Sequence, residues 1–341
     1  MPRPVVVYCG SNQVPVELIQ SILKEIDAEL VLANPKTDEE VAEAGRQADG
    51  MIFHGAIPLS RKTLFALERC KIICRTGVGV DRMDLQAAAE RNIIISNAAG
   101  CNSIEVAEHT IGLLLTMARK IVRMNAYLRE GRWKRHSADL HAYRGEVLRI
   151  TGQTIGIVGL GHVGRQVAPR AKGIGLRVQA HDPYVEAKVA AEMGVELVPL
   201  NDLLRTSDFV SLHSPLYRDT RHMINAESLK LMKRTAYLIN AARGPLVDTD
   251  ALLAALKEGR LRGAALDVTD PEPLPADHPI LLLDNVLVTC HTAANSNESY
   301  VDCQSHAARE VVRVLKGEPP STQITDPWLL AEAADTGFGG V

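Results

Sequence analysis

One strand-to-turn-to-helix stretch in the middle of the chain limits its fold more than any other feature. Thr154-Ile155-Gly156-Ile157-Val158 is a β-branched run that leads directly into Gly159-Leu160-Gly161-His162-Val163-Gly164. The Gly-x-Gly-x-x-Gly spacing is weak alone, but its context is specific. A helical segment, Arg165–Lys172, follows, then a strand, Leu176–Ala180. Asp182 comes eighteen residues beyond Gly164, near the ~20 expected of the acidic residue that ends the second strand of a dinucleotide-binding unit. Gly159 permits the tight turn, Gly161 lets backbone approach a pyrophosphate, and Gly164 lets helix and strand pack closely. The helix start offers N–H groups and a favourable dipole to the phosphates. A carboxylate at Asp182 accepts hydrogen bonds from ribose hydroxyls and repels a 2′-phosphate, which points to NAD rather than NADP. Pro169 lies inside the expected helix and lacks an N–H, so a local kink is expected there.

Short β-branched runs alternate with helical stretches on both sides of this motif, the pattern of parallel α/β layers. Ahead of it, strands are expected at Val5–Cys9, Leu30–Ala33, Gly50–His54 and Ile72–Arg75, with helices at Val16–Ala28, Asp38–Gln47 and Arg61–Cys70. Between the two series, Ile104, Ala107, Ile111, Leu114, Leu115 and Ala118 recur at helical spacing, which predicts one long helix over Ser103–Gly131 that bridges two domains. A loop, Arg129–Gly145, is expected after it, with His136 and His141 solvated. Beyond the motif, strands are expected at Phe209–Leu212, Ala236–Asn240, Gly263–Asp267 and Val286–Thr289. The helix Tyr300–Lys316 then has only the first unit to pack on, so the chain is expected to return. With 341 residues there is room for two domains. A net charge of −3 gives no footprint for nucleic acid, and no apolar run approaches the ~20 residues of a membrane span. The six cysteines form no Cys-x-x-Cys pair, so reduced, buried thiols and a cytoplasmic location are expected, with no metal site.

Three later segments end strands with polar residues, where an open α/β sheet places its ligands. They are Asn240-Ala241-Ala242-Arg243-Gly244, then Asp267-Val268-Thr269-Asp270-Pro271-Glu272-Pro273, then Thr289-Cys290-His291-Thr292-Ala293-Ala294. Hydride transfer to a 2-oxo acid needs a cationic clamp for the carboxylate and carbonyl, and a proton donor that titrates near neutrality. Arg243 suits the clamp through its planar fork, His291 suits the donor, and Glu272 is placed to hold the imidazole ring.

With these segments in this order, the chain resembles the D-isomer-specific 2-hydroxyacid dehydrogenase family from about Val5 to Gly317. The resemblance implies an α/β fold of two Rossmann-like or flavodoxin-like parallel-sheet domains, the substrate domain being discontinuous. Residues 1–102 plus 296–330 would form the substrate-binding lid, 103–295 the NAD-binding domain, and 331–341 a frayed tail. It makes His291 the acid/base, Glu272 its partner and Arg243 the substrate clamp. Arg75-Thr76-Gly77-Val78-Gly79 matches the family's substrate loop, with Val78 and Gly79 offering backbone N–H groups to the substrate carboxylate. Cofactor contacts carry over to Val106, His162, Val163, Ser214, Ala241, Ala242, Arg243 and Asp267, and to His291 through Ala293 and Ala294. His109 and His213 are expected to be structural. The family implies a homodimer through 103–131, with the apolar Ile111–Met117 face at its centre.

Asp182-Pro183-Tyr184 and Arg262-Gly263-Ala264-Ala265-Leu266-Asp267-Val268 resemble the branch that includes the C-terminal-binding proteins, so an NAD-sensing scaffold is the competing reading. The aromatic that this branch carries three residues after the histidine is Ala294 here, and the catalytic trio is intact. Among enzymes, phosphoglycerate dehydrogenase is a relative: Arg75 matches one of its phosphate-binding arginines, but His54 stands at the position of a second. The eleven residues after Leu330 are expected to add no regulatory domain. A small 2-oxo or 2-hydroxy acid is therefore the expected partner, with glyoxylate, hydroxypyruvate, phosphohydroxypyruvate and larger 2-oxo acids left open.

Overall fold

The computed structural model describes residues 2–10, 14–55, 57–134 and 138–324. His136 and the tail 331–341 lie outside the described residues, as does 325–330 of the expected lid. The chain divides into two compact units, one made of residues up to Asn102 with those from Asn295, the other of Ser103–Ala294.

In the first unit the order is β1 (Val5–Cys9), α1 (Val16–Leu23), β2 (Glu29–Ala33), α2 (Asp38–Gly45), β3 (Gly50–Phe53), α3 (Arg61–Ala66), β4 (Ile72–Arg75), α4 (Leu85–Glu90) and β5 (Ile94–Asn97). The strands form one parallel sheet in the order β2-β1-β3-β4-β5, the flavodoxin-like arrangement. Alternation along β1 explains how two layers of helices attach. Val7 and Cys9 join Val41, Leu64 and Ala87 from α2, α3 and α4, while Val6 and Tyr8 join Ile19 and Leu23 of α1 on the other face. α2 and α3 each start at a side-chain cap, Thr37 and Ser60. The α4–β5 pair goes beyond the elements read from the sequence; Ile-Ile-Ser-Asn is too short a run to declare itself.

The second unit opens with α5 (Ser103–Arg119), α6 (Ile121–Arg129) and α7 (Ala138–Arg144). Two expectations are corrected here. The single helix Ser103–Gly131 is broken at Lys120, whose φ of 56° lies in the left-handed region, and the loop Arg129–Gly145 contains α7, on which His141 sits. A parallel series follows: β6 (Thr154–Val158), α8 (His162–Gly173), β7 (Arg177–His181), α9 (Ala187–Glu192), β8 (Glu196–Leu197), α10 (Leu200–Thr206) and β9 (Phe209–Leu212). It continues through α11 (Ala226–Leu231), β10 (Tyr237–Asn240), α12 (Thr249–Lys257), β11 (Gly263–Leu266) and β12 (Val286–Val288). α8 continues through Pro169.

The sheet order is β12-β11-β10-β9-β6-β7-β8, doubly wound, with the reversal of direction between β6 and β9. α5 and α8 pack on one face of this sheet, while α10, α11 and α12 pack on the other. Ile111, Leu113 and Leu114 are buried in this unit's own core, with α5 packed on α8, β10 and β11, whereas Gly112 is exposed and Leu115 and Met117 are only partly buried. The apolar side chains left exposed near the break are Ile121, Val122, Leu128 and Trp133.

α13 (Asn297–Leu315) starts in a capping box at Ser296 and Ser299. Its Ala307, Ala308, Val311 and Val312 complete the first sheet's core on the α1 side. Among the described residues, no helix is long and apolar enough to cross a membrane.

Candidate functional site

The strand ends of the second unit converge at the reversal point, as that topology requires of a ligand crevice. Gly159 takes φ of 95°, and a Cβ there would meet the backbone of His213 and Ser214 at 2.8 Å. The β6 and β9 loops can therefore touch only because Gly159 has no side chain. Gly164 is as tight, since a Cβ would overlap the Gly159 carbonyl. Gly161 differs: no atom lies within 4 Å of where its Cβ would be. It is the N-cap of α8 and contributes no side-chain cap, so the first turn of a twelve-residue helix begins beside open space, with His162 and Val163 as its first two residues. A pyrophosphate fits such a cradle through backbone N–H groups and the helix dipole.

Asp182, at the end of β7, is already partly engaged. Its Oδ2 accepts from the Leu160 N–H at 2.7 Å, and Oδ1 accepts from the N–H groups of Tyr184 and Val185 at 2.9 and 3.2 Å. It braces the glycine-rich turn. Ser214 donates to the Val158 carbonyl at 3.3 Å. Val106, Ala241 and Ala293 form a small buried apolar cluster, with Val163 and Ala294 packed against it. Five residues expected to contact the cofactor thus meet on one patch, drawn from α5, α8 and the loops after β10 and β12.

Asp267, which follows β11, is 1% exposed. Its Oδ1 accepts from the Thr289 hydroxyl at 2.6 Å and the Thr292 N–H at 3.0 Å, and its Oδ2 from the Ala293 N–H at 2.9 Å. The backbone carbonyl of Asp267 accepts from the His291 N–H at 2.8 Å. Three successive N–H groups of the β12 loop therefore end on one residue, and in this structure the carboxylate serves that loop. His109 completes the arrangement, with Nε2 3.1 Å from the Thr289 hydroxyl. This clamp was not readable in the sequence, where Thr289 and His109 carry no signature of a role.

His291 is held with φ of 53°, and its Nδ1 lies 2.6 Å from Glu272 Oε1. A carboxylate only accepts, so Nδ1 carries the hydrogen and Nε2 is the nitrogen left for a substrate. Both side chains are partly exposed. Arg243 follows β10; its Nη1 donates to the Ala242 carbonyl at 2.7 Å. Asn240 shapes this turn, with Nδ2 donating to the Arg243 carbonyl and Oδ1 accepting from the Ala242 N–H. A Cβ on Gly244 would overlap the Thr269 carbonyl, so the arginine turn and the loop leading to Glu272 lie against each other.

In the first unit, His54 Nδ1 is 2.7 Å from the Thr76 hydroxyl, and its ring meets Tyr300 edge-on at 5.9 Å. Burial, and then the neighbouring Arg75, push the His54 imidazole below its ordinary value. Arg75 donates to the Gly55 carbonyl at 3.2 Å. Val78 is exposed, and its carbonyl accepts from Asn97 Nδ2 at 2.6 Å, which pins the loop that continues to Gly79.

Comparisons with known proteins show what the chain is similar to. Residues 111–293 match the family described as D-isomer specific 2-hydroxyacid dehydrogenase, NAD binding domain. The chain is 41% identical over 307 residues to a D-3-phosphoglycerate dehydrogenase of Methanocaldococcus jannaschii, covering 90% of this chain but 57% of that protein. It is 38% identical over 288 residues to a glyoxylate reductase of Korarchaeum cryptofilum, covering 84% of this chain and 85% of that protein. The structure of a D-isomer specific 2-hydroxyacid dehydrogenase from Lactobacillus delbrueckii ssp. bulgaricus, in its NAD complexed form, superposes with a TM-score of 0.78 at 25% identity, covering 94% of this chain and 99% of that one. The chain thus spans little more than half of the phosphoglycerate dehydrogenase and most of the reductase.

Proposed function

The chain belongs to the D-isomer-specific 2-hydroxyacid dehydrogenase family, and we propose that it interconverts a D-2-hydroxy acid and its 2-oxo acid with NAD. The observation that carries this reading is the His291–Glu272 pair at 2.6 Å, placed by Asp267 on the same loop as the apolar patch of Ala293 and Ala294. The open cradle at Gly161 and the uncapped start of α8 fit a pyrophosphate, and the patch of Val106, Val163, Ala241, Ala293 and Ala294 fits the face of an uncharged ring.

When bound, NAD would supply the hydride acceptor or, reduced, the hydride donor. His291 Nε2 gives a proton to the carbonyl oxygen during reduction and takes it back during oxidation. Glu272 keeps the ring oriented and balances its charge while it is protonated. Arg243 binds the substrate carboxylate and polarises the carbonyl, and Val78 and Gly79 are assigned as backbone N–H donors to a carboxylate. Asp182 selects NAD by accepting from ribose hydroxyls. His162, Ser214 and Ala242 line the dinucleotide.

The substrate is a small, unphosphorylated 2-oxo acid such as glyoxylate or hydroxypyruvate. His54, kept neutral by burial and by Arg75, would add no second positive charge for a phosphate. A homodimer forms through the 103–131 region, where Ile121, Val122 and Leu128 are exposed apolar side chains. Light scattering after gel filtration reads this, and a wild-type monomer refutes it. The protein acts in the cytoplasm.

The test is NADH oxidation against glyoxylate, hydroxypyruvate, phosphohydroxypyruvate, pyruvate and branched 2-oxo acids. Turnover of an unphosphorylated acid with kcat/KM above ~10⁴ M⁻¹s⁻¹ supports the reading. Preference for phosphohydroxypyruvate overturns the substrate assignment, and tight NADH binding with no turnover of any acid overturns the enzyme in favour of a scaffold.

A further inference from the structure

The six cysteines have three different surroundings. Cys9, Cys70 and Cys74 are buried in or beside the first sheet, and burial pushes each thiol up to about 12. Cys290 is exposed. Cys101 is half-buried in the turn after β5, hydrogen-bonded to both the Cys303 thiol and the His306 ring. Cys303 and His306 are three residues apart on α13 and so share a face. His306 Nε2 donates to the carbonyl of Asn97, the last residue of β5, at 3.1 Å. A carbonyl only accepts, so Nε2 carries the hydrogen and Nδ1 is the ring atom free to exchange a proton.

These contacts decide the state of the thiol. The hydrogen bonds from Cys303 and His306 outweigh burial and the nearby Asp302 carboxylate, and hold Cys101 well below the ordinary thiol range. His306 is raised in turn, chiefly by its bond to Cys101 and also by Glu310. Among the described residues, no group of His, Cys, Asp and Glu is arranged to hold a metal ion. A half-exposed thiolate beside a second thiol and a proton-exchanging imidazole is the arrangement of a redox-reactive dithiol.

We propose that Cys101 and Cys303 form a reversible thiol–disulfide site whose oxidant is a hydroperoxide. The Cys101 sulfur attacks the terminal oxygen of the hydroperoxide and the O–O bond breaks. The departing alkoxide takes a proton from His306 and leaves as an alcohol, or as water from hydrogen peroxide. Cys101 is now a sulfenic acid. The Cys303 thiol passes its proton to His306 and attacks the Cys101 sulfur. The S–O bond breaks, and hydroxide takes that proton to leave as water. In sum, two thiols and one hydroperoxide give one disulfide, one alcohol and one water. Cys303 is buried like Cys74, but Cys303 is hydrogen-bonded to Cys101 whereas Cys74 only interacts with it electrostatically, so Cys303 is the resolving partner. The bond would join the turn just before the chain leaves the first unit at Asn102 to the helix that begins after it returns at Asn295.

The test uses the reduced full chain, a few equivalents of hydrogen peroxide, alkylation of remaining thiols and peptide mass spectrometry. The expected product is a Cys101–Cys303 cross-linked peptide pair, lighter by two hydrogens and lost on treatment with dithiothreitol. In Cys303→Ser, Cys101 should instead be trapped by dimedone as the sulfenic acid, with an unchanged melting profile showing that the variant is folded. At pH 6, iodoacetamide should label Cys101 of the untreated wild type at least about tenfold faster than exposed Cys290, and His306→Asn should remove that advantage. Labelling of wild-type Cys101 no faster than Cys290, or oxidation of Cys101 to the sulfinic acid without any cross-link, overturns the proposal.

Discussion

His291 sits in a backbone conformation that few side chains adopt, and the reason it stays there is Asp267. A φ of 53° is uncommon for any residue but glycine, yet the N–H groups of His291, Thr292 and Ala293 all end on Asp267. A carboxylate that is 1% exposed is tolerable because hydrogen-bond donors surround it, with His109 Nε2 3.5 Å from Oδ1. Asp267 is therefore a positioning residue. Asp267→Asn has one acceptor oxygen for donors that now use two, and should cost about 1–3 kcal/mol of stability in chemical denaturation. Steady-state kinetics should show kcat falling at least tenfold, roughly, with KM for NADH changed much less, because the histidine loses its aim rather than the dinucleotide its cradle. His291→Gln should lower kcat by about 10²–10⁴-fold with NADH affinity retained; full activity in that variant would remove the histidine from the reaction. Asp182→Ala is a less clean probe than its sequence position suggests, since it frees the Leu160, Tyr184 and Val185 N–H groups as well.

At the scale of elements, glycines that look alike in sequence separate by what lies over them. Gly161→Ala places a methyl in open space, so the variant should melt like wild type while binding NADH at least about tenfold more weakly in a fluorescence titration, because the methyl would fill the proposed phosphate cradle. Gly244→Ala forces a methyl into the Thr269 carbonyl, so it should melt lower and lose activity together, as the Arg243 turn and the Glu272 loop are driven apart. The strands around both glycines were legible in the sequence because buried parallel strands read as β-branched runs, and the segments that carry Arg243, Glu272 and His291 because polar residues interrupt those runs where they end. The break at Lys120 was not, since a lysine at φ 56° carries no turn signature, and the apolar pattern continues across it. Lys120→Gly should raise stability by roughly 0.5–1 kcal/mol, the left-handed conformation costing lysine more than the added freedom of glycine costs the unfolded chain. A drop in the urea midpoint would show that the lysine side chain earns its place. The Asp267 clamp was equally invisible, because burial and partners across strands are properties of the folded chain.

The two units should respond differently to acid, and three histidines give the sign. In the Ser103–Ala294 unit, burial pushes His213 down to about 3; its Nε2 meets the Ser211 hydroxyl at 2.8 Å, and its Nδ1 is sealed without a partner. A histidine held neutral in the fold adds nothing to stability above the unfolded pKa of about 6.5 and opposes folding below it, because only the unfolded chain takes up the proton. At pH 5 the opposition from His213 amounts to about 2 kcal/mol, growing until the pH reaches the folded value. The first unit contains opposing groups. His54 is lowered by burial and by Arg75, and it weakens this unit in the same acid window. His306 is raised by its bond to Cys101, so its stabilisation is fully present below 6.5 and is lost as pH rises through its folded value. Calorimetry from pH 7.5 to 5 should therefore show the transition of the Ser103–Ala294 unit shifting further than that of its neighbour. His213→Gln should remove most of the difference, since glutamine brings no proton-binding site into the unfolded chain. Equal shifts in the wild type, or an unchanged difference in the variant, would mean that this sealed imidazole does not set the acid sensitivity of the molecule.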